Sequence, residues 1–229
     1  MNAKLIAVFI VLAVVAFLAA GYMRLLRPWY LTWGATPDEQ TMALAGDDLV
    51  PNPVFRMTHA ITINAPASEV WPWIVQIGQG RGGYYSYERL ERLFGFGIYN
   101  VYRIVPELQN LKEGDFVRLH KNGIGTNVVS LEKGRSLVLC TDSRKPAQGR
   151  REFVPVPKGK YIVYNWSFNL IDRPDGTTRL VERWAAEWTP TNPFLNLALC
   201  ALFELPSFIM EHRMLYEIKQ CAEGNPPRN

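Results

Sequence analysis

Glu182 is the first candidate for chemistry, because it interrupts an otherwise apolar strand face. The segment 178–189 alternates with the two-residue period of a strand, which places Glu182 on one face with Trp184 and Trp188. A carboxylate on such a face needs a polar partner or a wet cavity. Two interpretations stay open: a polar anchor inside a ligand pocket, and a solvated strand end or ion pair with a neighbouring arginine.

The three histidines, His59, His120 and His212, are the other candidates for acid–base chemistry. They lack metal-ligand spacing such as HExxH, so no metal site is predicted. No GxSxG elbow, phosphate-binding loop or Cys–His arrangement is visible, so no catalytic residue is assigned. If the protein is an enzyme, Glu182 and His212 are the acid/base candidates, although a helical histidine such as His212 is also typical of a surface.

The glycine-rich run Gly78 to Gly83 formally matches GxGxxG. A dinucleotide site requires this motif between a strand and a long helix, with an acid about 20 residues later. Here the motif follows an amphipathic helix, and positions 98 to 104 contain no acid. We therefore predict no cofactor, and expect the glycines to let two short helices meet closely.

Composition indicates one sizeable globular domain with an appendage. The chain has 229 residues, of which 48% are hydrophobic and 12% aromatic, and carries a net charge of +4. Its basic residues are scattered, which argues against nucleic-acid binding. Three cysteines without a CxxC pair argue against a disulfide framework and a cysteine zinc site, and favour buried free thiols.

The N-terminus predicts a single-pass membrane anchor. Leu5 to Tyr22 contains no charge and is long enough for a helix to cross a bilayer. A cleaved signal peptide is the alternative, because Ala19, Ala20 and Gly21 provide small residues for a cut. Arginines after the apolar run and the free thiols favour a cytoplasmic domain.

The remaining chain predicts a strand, two short helices, an antiparallel sheet and a long closing helix. A capped helix is also expected at Thr36 to Glu39, before the first strand. Period-2 alternation and turn residues predict the strands, and i, i+3, i+4 spacing predicts the helices. The predicted strands are 57–63, 115–120, 126–132, 136–142, 150–156, 161–171 and 178–189, and the helices are 70–77, 86–94 and 193–222.

This layout resembles the START-like helix-grip superfamily, also called SRPBCC, which includes polyketide cyclases and lipid-transfer domains. Within that superfamily it looks most like uncharacterised bacterial membrane-anchored members. The resemblance covers about Trp33 to Glu223. It rests on residues 33–36, 46–51, 61–87, 103–106 and 208–211.

The resemblance implies an α+β fold, in which a curved antiparallel sheet surrounds the C-terminal helix and encloses a largely apolar cavity. The corresponding domain division is an anchor (1–27), an approach segment (28–54), the START-like domain (55–223) and a frayed tail (224–229). The residues expected to line the cavity are Tyr85, Tyr164, Trp166, Phe168, Glu182, Trp184, Trp188, Phe208 and His212.

Three functions fit these expectations. The first is a membrane-anchored domain that binds a lipid-like or other hydrophobic small molecule, without a cofactor. The second is a polyketide cyclase or dehydratase that uses the same cavity, and the third is a membrane-tethered interaction module with a closed core. The sequence leaves the oligomeric state open.

Overall fold

The computed structural model describes residues 3–93, 95, 97–145, 156, 158–189 and 192–227. It is an α+β structure with a six-stranded antiparallel sheet and a long C-terminal helix. The helices are α1 (Ala3–Gly21), α2 (Arg27–Leu31), α3 (Pro37–Thr41), α4 (Ala67–Val75), α5 (Glu88–Leu93) and α6 (Pro193–Ala222). The strands are β1 (Phe55–Ile63), β2 (Phe116–Arg118), β3 (Gly125–Glu132), β4 (Ser136–Asp142), β5 (Ile162–Asp172) and β6 (Thr178–Trp188).

The N-terminal helices form one apolar rod. A π-helical turn, Tyr22–Leu26, joins α1 to α2 without a break. The resulting helix, Lys4–Leu31, has 28 residues and is long and apolar enough to cross a membrane, although a signal sequence would pass the same test. Its side chains are largely exposed until Tyr30, which is fully buried against the domain.

The sheet has the strand order β1-β6-β5-β4-β3-β2, so the first and last strands of the chain lie side by side. Short turns join β3 to β4 and β5 to β6, and Gly134 and Gly176 provide the positive φ these turns require. Strand β1 pairs with β6 across all of its length, from Phe55 opposite Ala186 to Ile63 opposite Thr178.

The inner face of the sheet packs against α6 and α4. Because paired residues share a face, the register brings Met57, Trp184, Trp166 and Leu139 into one row across the sheet. Further along the strands, Phe168 and Leu180 pack with Leu215 and Ile218 of α6 in the main core. This arrangement of a curved sheet around a closing helix is the helix-grip fold, and it confirms the fold class predicted above.

The segment between the anchor and β1 covers the outer face of the sheet. Thr36 caps α3 in a reciprocal capping box with Glu39, as the sequence predicts. Glu39 also forms a two-point ion pair with Arg179 of β6, at 2.7 and 2.8 Å. Val50 is fully buried with Cys140 and Ala185 on the same face. The approach segment is therefore packed on the domain.

The loop between α4 and α5 is built on close backbone approaches. Gly83 has a φ of +83°, and a Cβ at this position would lie 2.5 Å from Oδ1 of Asn100. That oxygen accepts hydrogen bonds from the backbone N–H groups of Tyr84 and Tyr85, at 3.1 and 2.7 Å. Gly83 therefore serves a structural junction, in which it permits contact with the Asn100 loop rather than between the two helices.

Most predicted elements lie within two residues of the observed bounds. The short strand β2 covers only part of the predicted 115–120, and α5 begins at Glu88 rather than near Ser86. The predicted edge strand 150–156 lies outside the described residues apart from Val156, which is not in a strand. The three cysteines are buried and form no disulfide, as expected.

Glu91 of α5 makes stability depend on pH. It is only 1% exposed, and burial, followed by the charges of Glu88 and Glu217, raises the pKa of its carboxyl to about 7 from 4.5. The folded protein then holds this proton more tightly than the unfolded chain, so the Glu91 contribution is favourable at low pH and is lost as pH rises through 4.5 to 7.

Replacing Glu91 with glutamine should therefore raise the free energy of unfolding by about 1–2 kcal/mol at pH 8 and flatten its pH dependence. Chemical denaturation between pH 4 and pH 8 measures both effects. Glu107→Gln, at an exposed position, is the matched control and should change neither. An unchanged slope in Glu91→Gln would show that other groups cause the dependence.

Candidate functional site

An aromatic cluster lies at the end of the inner sheet face where β1 begins, β6 ends and α6 begins. Phe55 is buried and meets the ring of Trp184 edge-on, with 5.3 Å between centroids. Tyr164 and Trp188 pack against the same cluster and are only half-buried. We call this set, which also includes Tyr22, Tyr30, Trp33 and Phe208, the aromatic end.

The first half of α6 presents an exposed apolar surface beside the aromatic end. Phe194 is 84% exposed and Leu202 is 65% exposed, and Leu197, Phe203, Leu205 and Ile209 are also exposed. The second half of the same helix differs, because Leu215 and Ile218 are fully buried in the main core. One helix therefore closes the fold with its C-terminal half, whereas one face of its N-terminal half is left without packing; we call this half the unpacked half.

The N-terminal apolar helix is joined to this part of α6 by a buried carboxylate. Glu204 has no exposed surface and accepts hydrogen bonds from Arg27, at 2.8 and 2.6 Å, and from the Tyr30 hydroxyl, at 2.8 Å. Trp29 also meets Phe208 edge-on, with 5.4 Å between centroids. These contacts align the end of the anchor with the unpacked half of α6.

A second polar cluster lies deeper between the sheet and α6. His59 of β1 pairs in register with Glu182 of β6, and Glu211 of α6 lies over both. Nδ1 of His59 is 3.1 Å from Oε2 of Glu211 and 3.7 Å from Oε2 of Glu182. All three residues are buried, with exposed fractions of 1% for His59, 1% for Glu182 and 8% for Glu211.

The surroundings fix the orientation of this cluster. Nε2 of His59 is 2.8 Å from the backbone carbonyl of Tyr30, and because a carbonyl can only accept, Nε2 carries a hydrogen. Nε1 of Trp166 donates to Oε1 of Glu182 at 2.5 Å. Burial alone would lower the pKa of His59, but the carboxylates of Glu182 and Glu211 outweigh burial, so the pKa is raised. The pKa of Glu211 is also raised, by burial and by the charge of Glu182.

The nine residues predicted to bind ligand fall into three groups. Tyr164, Trp184, Trp188 and Phe208 belong to the aromatic end, where the first three are half-buried. Glu182 and Trp166 hydrogen bond to each other beside His59. Tyr85, Phe168 and His212 have separate surroundings, described next.

Tyr85 and Phe168 are fully buried in the main core. The Tyr85 hydroxyl accepts a hydrogen bond from Nε2 of Gln76 at 2.6 Å, and its ring meets Trp73 edge-on. His212 lies instead against Trp33, with 4.3 Å between ring centroids. The structure thus places His59, rather than His212, next to Glu182.

The sequence alone did not group His59 and Glu211 with Glu182 as candidates for one site. Their convergence depends on the pairing of β1 with β6 and on the position of α6, which are tertiary features. One local signal was available: His59 lies at an inward position of a strand whose neighbours Met57 and Ile61 are apolar.

Two pockets lie at the surface. One has a volume of about 430 Å³ and lies between α5 and α6, lined by Tyr87, Arg89, Leu90, Leu93 and Ile209. The other has a volume of about 510 Å³ and lies near the start of α4 and the end of α6, where Trp73 and Ile104 contribute. Neither is lined by any of the nine predicted ligand residues.

The fold and the buried site together define a helix-grip protein with an N-terminal apolar helix. No family model matches the chain, and no curated protein matches it. Membership of the START-like superfamily therefore stays a prediction.

Solved structures show only distant likeness. A structural-genomics protein from Nitrosomonas europaea has a TM-score of 0.43 at 12% identity, over 75% of this chain and 96% of that one. A Staphylococcus saprophyticus protein has a TM-score of 0.39 at 11% identity, over 76% and 96%. CalU16 from Micromonospora echinospora has a TM-score of 0.32 at 16% identity, over 74% and 85%. No activity is carried over from these proteins.

Proposed function

We propose that this protein is a membrane-anchored binding domain for a lipid-like or other hydrophobic small molecule, which enters at the aromatic end directly from the bilayer. The observation that carries this proposal is the unpacked apolar half of α6, which lies alongside the anchor and beside the aromatic end. A bilayer is the partner that would cover the exposed side chains of the anchor and those of α6 at once.

The chemistry of the junction supports a membrane boundary at this place. Trp29 is 55% exposed and lies near the end of the apolar helix, where aromatic residues typically mark the interface. Phe194 and Leu202, on α6, would add apolar area to the same boundary. Arg24 and Arg27, after the apolar run, and the buried free thiols support a cytoplasmic domain.

The aromatic end is suited to a hydrophobic ligand. Tyr164, Trp184 and Trp188 offer large rigid ring surfaces that the fold itself covers only in part. Deeper in the fold, Phe168 and Leu180 are fully buried and fill the space between sheet and helix. The proposed binding place is therefore the aromatic end rather than the deep core. Tethering raises the encounter rate with a ligand dissolved in the bilayer.

The alternative is the membrane-tethered interaction module with a closed core. It is favoured by the complete burial of Tyr85 and Phe168 and by the surface position of both pockets. The two functions differ in whether the purified chain carries a small molecule.

Native mass spectrometry of the full chain, extracted from its host in mild detergent, tests the proposal. We expect a fraction of the protein to carry one lipid-sized adduct. Trp184→Ala should lower that fraction several-fold, because it removes ring surface at the aromatic end. Tyr99→Ala is the control, since Tyr99 is 63% exposed and belongs to a distant loop. An empty wild-type chain, or equal occupancy in both variants, would favour the closed module.

A further inference from the structure

We propose that His59, Glu182 and Glu211 form a binding site for one divalent transition-metal ion of the Zn²⁺ type. The ligand atoms would be Nδ1 of the histidine and one oxygen from each carboxylate, and these atoms lie within 4.8 Å of one another. Imidazole and carboxylate are ligands that Zn²⁺ and its neighbours in the first transition row accept. This inference is independent of the hydrophobic ligand.

The distances suit a shared ion. Two ligands bound tetrahedrally at about 2.1 Å from Zn²⁺ are about 3.4 Å apart. The separations of His59 Nδ1 from the nearest oxygens of Glu211 and Glu182 are 3.1 and 3.7 Å, on either side of that value. These two separations match a shared ion, and the two carboxylate oxygens lie within 4.8 Å of each other.

The same three atoms have no polar partner outside their own cluster. Nδ1 of His59, Oε2 of Glu182 and Oε2 of Glu211 are buried, and within the described part of the chain their polar neighbours are one another, at 3.1 and 3.7 Å from Nδ1. Buried polar atoms are normally satisfied, and each unsatisfied one is costly. Three such atoms converging on one point match the ligand set that a bound cation requires.

The groups behind the ligands orient them for coordination. The Tyr30 carbonyl holds the hydrogen of His59 on Nε2, so that in the neutral imidazole the lone pair is on Nδ1 and faces the carboxylates. The Trp166 indole occupies Oε1 of Glu182 and leaves Oε2 directed at the cluster. Metal-binding histidines and carboxylates usually have outer partners of this kind.

Charge balance is also satisfied by a divalent ion. Two carboxylates and a neutral imidazole carry a charge of −2, which one such ion neutralises in a region with little access to water. A proton bound by the same three side chains is the alternative to the metal ion. Three protein ligands would leave one coordination position for water or another small ligand, as in many zinc sites that are not purely structural.

Metal titration of the full chain in detergent tests the proposal. After chelator treatment, the wild-type protein should bind one Zn²⁺ by calorimetry, gain thermal stability on binding, and show a visible absorption spectrum with Co²⁺. Glu182→Gln and Glu211→Gln nearly preserve shape, and each should weaken binding by more than about 100-fold, beyond the 10–100-fold typical of outer-shell changes. His120→Gln is the control for adventitious histidine binding and should leave affinity unchanged.

Two results would overturn the proposal. The first is a wild-type protein that binds neither Zn²⁺ nor Co²⁺, which would assign the cluster to a bound proton. The second is equal metal affinity in wild type and in both glutamine variants, with circular dichroism showing that the variants fold.

Discussion

Arg183→Ala is expected to lower the free energy of unfolding by about 3 kcal/mol, the lower end of the range for breaking a buried ion pair, because the Asp47 side chain is 22% exposed. The guanidinium is 1% exposed and is 2.5 Å from the Asp47 carboxylate. It also donates to the backbone carbonyls of Glu39, Met42 and Gln40, at 2.7, 3.0 and 3.2 Å. Without it, these acceptors lose their partner and the approach segment loses its main polar attachment to β6.

Chemical denaturation of the full chain in detergent measures this loss. Arg135→Ala is the matched control, because Arg135 is 74% exposed in its ion pair with Glu132 and such pairs contribute little. Equal stability of the two variants would contradict the account in which residues 32–53 are fastened to the outer face of the sheet by Arg183.

Arg27→Met should destabilise the junction between anchor and domain by about 3 kcal/mol. The substitution leaves the Glu204 carboxylate, which has no exposed surface, with the Tyr30 hydroxyl as a neutral partner and without the cation that now neutralises it. Thermal unfolding in detergent should show the loss. Arg24→Met, one turn earlier and exposed, is the control and should leave the melting temperature within error. A silent Arg27→Met would mean that the anchor is not docked on α6.

Strand positions were predictable because alternation is a local signal. The strand predicted at 136–142 coincides with the observed β4. In β6, Glu182 and Trp184 lie on one face of the strand and Arg179 and Arg183 on the other, as expected. The observed bounds of helix α6 likewise agree with the predicted helix 193–222. A long apolar periodicity between a proline and a glycine leaves few alternatives.

The partners of polar residues could not be predicted, since they depend on tertiary contacts. Glu217 is only 2% exposed and accepts a hydrogen bond from the Tyr102 hydroxyl at 2.5 Å, because the loop after α5 covers that side of α6. In the same way, Glu182 lies opposite His59 of β1 in the sheet, and no spacing along the chain relates the two residues.

The most direct test of the central claim is the depth of the unpacked half of α6 in a bilayer. A nitroxide label at Leu202→Cys, in the full chain in lipid nanodiscs, should be accessible to oxygen and protected from a water-soluble nickel chelate. Gln220→Cys, exposed near the other end of the same helix, should show the opposite accessibility. The native cysteines are buried, which limits competing labels. Equal nickel access at both positions would show that α6 faces water, and would contradict a binding site that opens to the membrane.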